Sequence, residues 1–260
     1  MPEARAAERR GAALVTGAAK RIGRAIALDL AADGWDVAIH YNSSEADARS
    51  AVEAIEKLGR RAVALKADLQ READTAPLVG RAIEALGPLR LLVNNASTFE
   101  NDGWNTATRE SWNFHVETNL RAPFVLTQAF ARQLPDGVDG NVINMLDERV
   151  WNLTPAFVSY TVSKVGLWGL TQTLALALAP RIRVNGIGPG PALANVRQTP
   201  EHFAEQCASM PLGRGTSPEE ICRTVRFILA ARSMTGQMIA LDGGQHLSWA
   251  PPAKGWVVPE

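Results

Sequence analysis

Tyr160 and Lys164 stand four residues apart in the run Tyr160-Thr161-Val162-Ser163-Lys164, which puts a phenol and an ammonium on one face of a helix. A free tyrosine has a pKa of about 10 and exchanges protons poorly near neutrality. A neighbouring ammonium favours the phenolate, and the same lysine can hold a ribose. Such a pair occurs by chance on many solvated helices, so its meaning depends on what surrounds it.

A second constellation lies near the start of the chain, where Thr16-Gly17-Ala18-Ala19-Lys20-Arg21-Ile22-Gly23 follows a short apolar run. Small residues at a strand-to-helix turn let the backbone approach a pyrophosphate, which then sits at the positive helix N-terminus. Chains that take NAD place an acid about 20 residues further on, at the end of the second strand, to bind the ribose hydroxyls. Here that place holds His40-Tyr41-Asn42-Ser43-Ser44, with no carboxylate before Glu45. His, Asn and Ser can donate hydrogen bonds to a 2′-phosphate, and Lys20 and Arg21 add positive charge from the neighbouring loop. The expected cofactor is NADPH. The plain alternative is that His40 merely ends a strand and Lys20 is a solvated charge.

These residues need a scaffold, and apolar runs alternate with amphipathic stretches along the whole chain. Strands are expected at Ala12–Thr16, Val37–His40, Ala62–Lys66, Leu89–Asn94, Asn141–Met145, Ile182–Ile187 and Met238–Leu241. Helices are expected across Ile22–Ala32, Glu45–Leu58, Ala73–Leu86, Phe157–Leu178 and Pro218–Ala230, with a long one over Arg109–Leu134 bent at Pro123. Short strands separated by helices mean βαβ units, a parallel sheet and helices on both faces: an α/β fold. One domain is expected over residues 1–260, with a core over about 12–244, a mobile flap at 189–215 and a tail over 245–260 that is not helical at Pro251–Glu260.

Composition narrows the function. Apolar residues make up 46% and charged residues 21%, and 27 basic residues balance 27 acidic ones. Such neutrality speaks against nucleic acid and anionic membranes as partners and suits a small-molecule substrate. Cys207 and Cys222 form no metal-binding pattern, and no metal is expected. The apolar stretch Ala12–Val15 is too short for a signal-peptide core, and Val165–Pro180 falls short of a membrane span, so a cytoplasmic setting is expected.

Taken together, Thr16–Gly23, Asn94-Asn95-Ala96, Asn119, Tyr160–Lys164 and Pro189-Gly190 resemble, in order and spacing, the short-chain dehydrogenase/reductase family. The resemblance runs from about Ala12 to about Gly244. It implies a Rossmann-type domain with seven parallel strands, assembled as a homotetramer through the long helices. It assigns proton transfer to Tyr160, control of the phenol and of the ribose to Lys164, and a water-mediated proton relay to Asn119. Asp68 and Leu69 resemble the pair that meets the adenine ring. Gly17 and Ile22 belong to the phosphate turn, Asn94 and Ala96 would line the cofactor, and Pro189 and Gly190 would flank the nicotinamide.

Two positions depart from the family. Arg21 stands where most members have glycine, and Asp147 stands thirteen residues before the tyrosine, where most have a carbonyl-polarising serine. An ionised Asp cannot donate a hydrogen bond. Both departures, with His40-Tyr41 and Asn94-Asn95-Ala96-Ser97-Thr98-Phe99, resemble the pteridine reductase branch, which reduces ring C=N bonds of pterins or folates. That resemblance implies substrate contacts from Arg21, Ser97, Phe99, Asp147 and Tyr160, with Phe99 stacking on the flat ring. The plain alternatives are loop packing for Phe99 and a structural cap or an Arg149 salt bridge for Asp147. Reduction of a carbonyl, such as a ketoacyl thioester or sugar ketone, is the second functional reading. A non-catalytic NADP(H)-binding regulator is the third.

Overall fold

A computed structural model describes residues 10–195 and 197–247. Val196 and the tail segment Pro251–Glu260 lie outside the described residues.

The strand β2 (Trp35–Tyr41) is buried at every position. A strand covered on both faces is what a parallel sheet between two helical layers demands. Its partners are β1 (Gly11–Val15), β3 (Ala62–Lys66), β4 (Leu89–Asn94), β5 (Gly140–Met145), β6 (Ile182–Pro189) and β7 (Met238–Leu241). All pair in parallel in the order β3-β2-β1-β4-β5-β6-β7. The order reverses between β1 and β4, so the strand ends there open a crevice at the carboxyl edge of the sheet.

Alternation along the strands divides the core in two. Ala13, Val15, Leu91, Val93 and Ile143 pack on one face with residues of α1 (Arg21–Ala32), α2 (Glu45–Lys57) and α9 (Pro218–Ala230). Ala12, Leu14, Leu92, Val142 and Val184 pack on the other with α4 (Leu78–Leu86), α6 (Ala122–Gln133) and α7 (Val158–Leu178). Each fully buried Val, Leu or Ile contributes about 1.5–3 kcal/mol toward holding the helices on the sheet.

Two expected helices change. The helix expected over Ala73–Leu86 is split into α3 (Glu72–Thr75) and α4, with Pro77, which cannot donate an interior helical bond, between them. The helix over Arg109–Leu134 does not simply bend at Pro123. It runs as α5 (Arg109–Val116), a π turn at Glu117–Arg121, then α6. Pro123 has no amide to offer the carbonyl four residues earlier, and the wider turn takes up that gap. Within the segment expected as a flap, 189–215, lies α8 (Pro200–Ala208), capped by Thr199 accepting from the His202 amide.

No helix among the described residues is long and apolar enough to cross a membrane.

Candidate active site

The turn after β1 is built for close approach. Gly17 has φ of 61°, and a Cβ there would lie 2.9 Å from Ala96 Cα. A Cβ on Gly23 would lie 2.3 Å from the Gly17 carbonyl. Only glycine fits either place. Thr16 Oγ1 accepts from the amides of Asn95 and Ala96, and Asn95 Nδ2 donates to Thr16 O and Gly17 O. The ends of β1 and β4 are thereby one unit. No side chain caps α1 at Lys20, so its first-turn amides have no side-chain cap. Asn94 donates to Asn144, while its own Oδ1 is buried without a protein partner.

His40 does not do what was expected of it. Its ring is 2% exposed; Nδ1 accepts from the Gly17 amide at 3.0 Å and Nε2 meets Ala67 O at 3.1 Å. Burial lowers its pKa to about 4, so the ring is neutral, with its hydrogen on Nε2. With both nitrogens engaged, His40 fixes the glycine turn and has no donor left for a phosphate. Lys20 pairs with Asp47 at 3.0 Å on the surface. Arg21, at φ 53°, donates to Ala194 O and Leu193 O of the flap. Tyr41 is buried, whereas Asn42 and Ser43 are exposed at the strand end. Asp68 accepts from the Gln70 amide, and Leu69 is buried beside it.

At the chemical end Tyr160, 6% exposed, donates from its hydroxyl to Asp147 Oδ2 at 2.6 Å. The other oxygen of Asp147 accepts from the Arg149 amide at 2.9 Å and caps the short turn Glu148–Val150. Capping and proton contact, set against each other as alternatives, are therefore met by one carboxylate. The Arg149 guanidinium lies 3.9 Å from Asp147 Oδ2. Lys164 is 2% exposed and donates to Met145 O at 2.8 Å, with its nitrogen 5.7 Å from the centre of the Tyr160 ring. Burial pushes its pKa down to about 8, against the pull of Asp147.

Asn119 sits in the π turn. Its Oδ1 accepts from the Thr98 amide, and its Nδ2 donates to Thr98 O and Ser163 Oγ. It thus ties the loop after β4 to α7. Ser97 lines the same cleft as Tyr160, Asp147, Arg21, Pro189 and Gly190. Phe99 is elsewhere: it stacks on Phe157 at 4.6 Å and 11°, and meets the Tyr160 ring edge-on. One face of Phe99 is thus spent on packing against Phe157, and the guanidinium groups of Arg149 and Arg197 lie 5.5 and 5.6 Å from its ring centre.

Several residues were not expected from the sequence to line the cleft. Arg149 is buried, its guanidinium 5.5 Å from the Phe99 ring centre and 5.2 Å from that of Phe157. Gln206 and Phe203 reach the cleft from α8, and Gln245 from beyond β7. No local pattern marks such residues, because they belong to the cleft only once β5, β6 and the flap are assembled.

Comparison with known proteins gives this arrangement a family. Residues 17–246 match the family model described as enoyl-(acyl carrier protein) reductase. A crystal structure of FolM alternative dihydrofolate reductase 1 from Brucella suis, in complex with NADP, is 48% identical over 94% of this chain and 98% of its own, with a TM-score of 0.90. The Brucella canis counterpart, also complexed with NADP, is 47% identical over 94% of this chain and 97% of its own, with a TM-score of 0.89. The 3-oxoacyl-[acyl-carrier-protein] reductase of Staphylococcus epidermidis is 30% identical over 90% of this chain and 98% of its own. With a matched glycine turn, a Tyr160–Lys164 pair and a seven-stranded parallel sheet, the chain belongs to the short-chain dehydrogenase/reductase family.

Proposed function

We propose that the protein is an NADPH-dependent reductase of a ring C=N bond in a dihydropterin, folate- or monapterin-like. The observation that carries this reading is the hydrogen bond from Tyr160 to Asp147 in the place of a carbonyl-polarising hydroxyl. The likeness to the two FolM structures supports it.

The residues present fit the dinucleotide. The uncapped first turn of α1 with Gly17 and Ile22 would take the pyrophosphate, and Asn42 and Ser43 the 2′-phosphate. Asp68 and Leu69 would meet the adenine, and the buried Asn94 oxygen, Ala96, Pro189 and Gly190 the nicotinamide end. Lys164 would hold the ribose. Bound NADPH supplies the hydride that adds to the ring carbon. The chain's own task is the proton at nitrogen. Tyr160 carries it, Asp147 holds or relays it from the same hydroxyl, and the Lys164 ammonium stabilises the phenolate left behind. Arg21 pins the flap over the cleft through Leu193 O and Ala194 O, which keeps water from the reacting atoms.

The likeness to the Staphylococcus epidermidis enzyme favours a second reading, reduction of a ketoacyl or other carbonyl. Asp147 weighs against it, since its carboxylate accepts from Tyr160 where a ketone oxygen needs a donor. The chain would act as one domain within a homotetramer. The exposed residues Val162, Val165 and Leu176 on the outer side of α7 give that assembly an apolar contact face.

NADPH consumption with dihydrobiopterin, dihydrofolate and dihydromonapterin, beside a set of ketones, tests the proposal. Turnover confined to the pterins, and lost about 100-fold or more in Tyr160→Phe, is the expected result. Turnover confined to ketones, or surviving that substitution, refutes it.

A further inference from the structure

Behind Tyr160 lies a closed polar cluster that the proposed reaction leaves unused. Asp102, His115 and Ser159 are 4%, 0% and 0% exposed. A carboxylate buried this deeply persists only where donors surround it.

The donors come from the start of α7. That helix has Phe157 at its N-cap, at φ 57° and with no side-chain cap bond. Its first amides are satisfied from a distant loop: Ser159 N donates to Asp102 Oδ1 at 3.0 Å, and Val158 N to the Asp102 carbonyl at 3.2 Å. Asp102 is thus a remote N-cap, its negative charge at the positive end of the catalytic helix. Its Oδ2 accepts from Ser159 Oγ at 2.5 Å and from Ser111 Oγ at 2.9 Å.

His115 completes the chain. Its Nε2 accepts from the Glu100 amide at 3.0 Å, so the ring hydrogen lies on Nδ1 and points at Ser159 Oγ, 2.7 Å away. Serine, histidine and aspartate together suggest a hydrolytic triad, but the bonds run the wrong way. Histidine donates to serine and serine donates to aspartate, so no base is left to activate the hydroxyl, and Ser159 has no exposed surface.

What the cluster touches is the next residue in the chain. The His115 ring meets the Tyr160 ring edge-on at 5.9 Å, and Phe99 meets it edge-on at 4.6 Å. We propose that Asp102, Ser159 and His115 form a positioning clamp that sets the first turn of α7 and the plane of the Tyr160 ring, and so aims its hydroxyl at Asp147. These are positioning residues, and the proposal rests on the reading of Tyr160 as the proton carrier. The outer end of the clamp is Glu100, which also pairs with Arg197 of the flap at 2.6 Å, so the flap and the Tyr160 turn share one loop.

The chain holds two tyrosines, Tyr41 and Tyr160, so tyrosine isotope-labelled at the ring carbon bearing the hydroxyl yields two NMR signals, with Tyr160 assigned by its loss in Tyr160→Phe. Ser159→Ala and Asp102→Asn are compared with the wild-type protein by the shift and titration of that signal, by kcat and KM with dihydrobiopterin, by NADPH affinity and by melting temperature. In both variants the Tyr160 signal is expected to move, its titration by about half a pH unit or more. The kcat is expected to fall about 10-fold at nearly constant KM and NADPH affinity. A Tyr160 signal and titration matching the wild type in a folded variant overturn the clamp, whatever happens to melting temperature or rate. Should Ser159→Ala fail to fold, Asp102→Asn decides alone, since it keeps the side-chain shape and an acceptor for the Ser159 amide. Should Tyr160→Phe retain full turnover, the functional reading fails, while the NMR signal still decides the clamp.

Discussion

Asp147 and Tyr160 are joined by a 2.6 Å hydrogen bond in which the phenol donates and the carboxylate accepts. The direction matters. A carboxylate that accepts from the phenol does not at the same time donate to a substrate carbonyl, but it can take up and return the proton that a ring nitrogen requires.

Replacing Asp147 with serine separates these roles. Asp147→Ser is expected to lower kcat for dihydropterins by about 10- to 100-fold and to leave NADPH affinity unchanged. Steady-state kinetics on both substrate classes check this, and unaltered pterin kinetics remove Asp147 from the mechanism.

Cofactor choice follows from the end of β2. With Asn42 and Ser43 exposed there and no carboxylate before Glu45, NADPH is expected to bind at least ~10-fold tighter than NADH, or about 1.4 kcal/mol. Asn42→Asp is expected to reverse the order by repelling the 2′-phosphate. Fluorescence titration with the two cofactors measures both, and equal affinities for the wild-type chain refute the assignment.

His40 makes the fold sensitive to acid. Its pKa is lowered from 6.5 to about 4 in the folded chain, chiefly by burial, partly offset by the Ala67 carbonyl. Between those values the unfolded chain binds more protons than the folded one, so stability falls as pH falls. The contribution is fully present above about 6.5 and lost as pH drops through about 4, and amounts to about 3 kcal/mol. Denaturant melts across that window are expected to show the decline, and His40→Gln to flatten it. An unchanged slope in the variant shows that the acid sensitivity lies elsewhere.

Lys164 sets a limit on the alkaline side. Burial brings its pKa down to about 8, so the ammonium beside the Tyr160 ring is lost on raising the pH through that value. The kcat/KM for NADPH, which reports the free enzyme, is expected to fall above pH of about 8. Lys164→Gln is expected to abolish that limb together with most of the activity, and a flat wild-type profile from 7 to 10 contradicts the role given to the ammonium.

Much of this was legible along the chain. All seven expected strands lie within two residues of their observed bounds, because a buried parallel strand announces itself by a short apolar run between turn residues. The glycine turn and the Tyr160–Lys164 pair were legible for the same reason: their geometry is local, spanning one helical turn or one strand-to-helix junction. Sequence also determined that a carboxylate stands at position 147 and none at the end of β2.

Tertiary structure decided the rest. Whether His40 faces a phosphate or the Gly17 amide depends on how β2 registers against β1 and β3. Whether Phe99 faces the cleft or Phe157 depends on where the loop after β4 meets the start of α7. Asp102 and Ser159 are 57 residues apart and meet only because the sheet order brings that loop and that helix together. A periodic pattern reports which face of an element is buried. It carries no record of which distant side chain completes a hydrogen bond, because that partner is chosen by packing after the elements have formed.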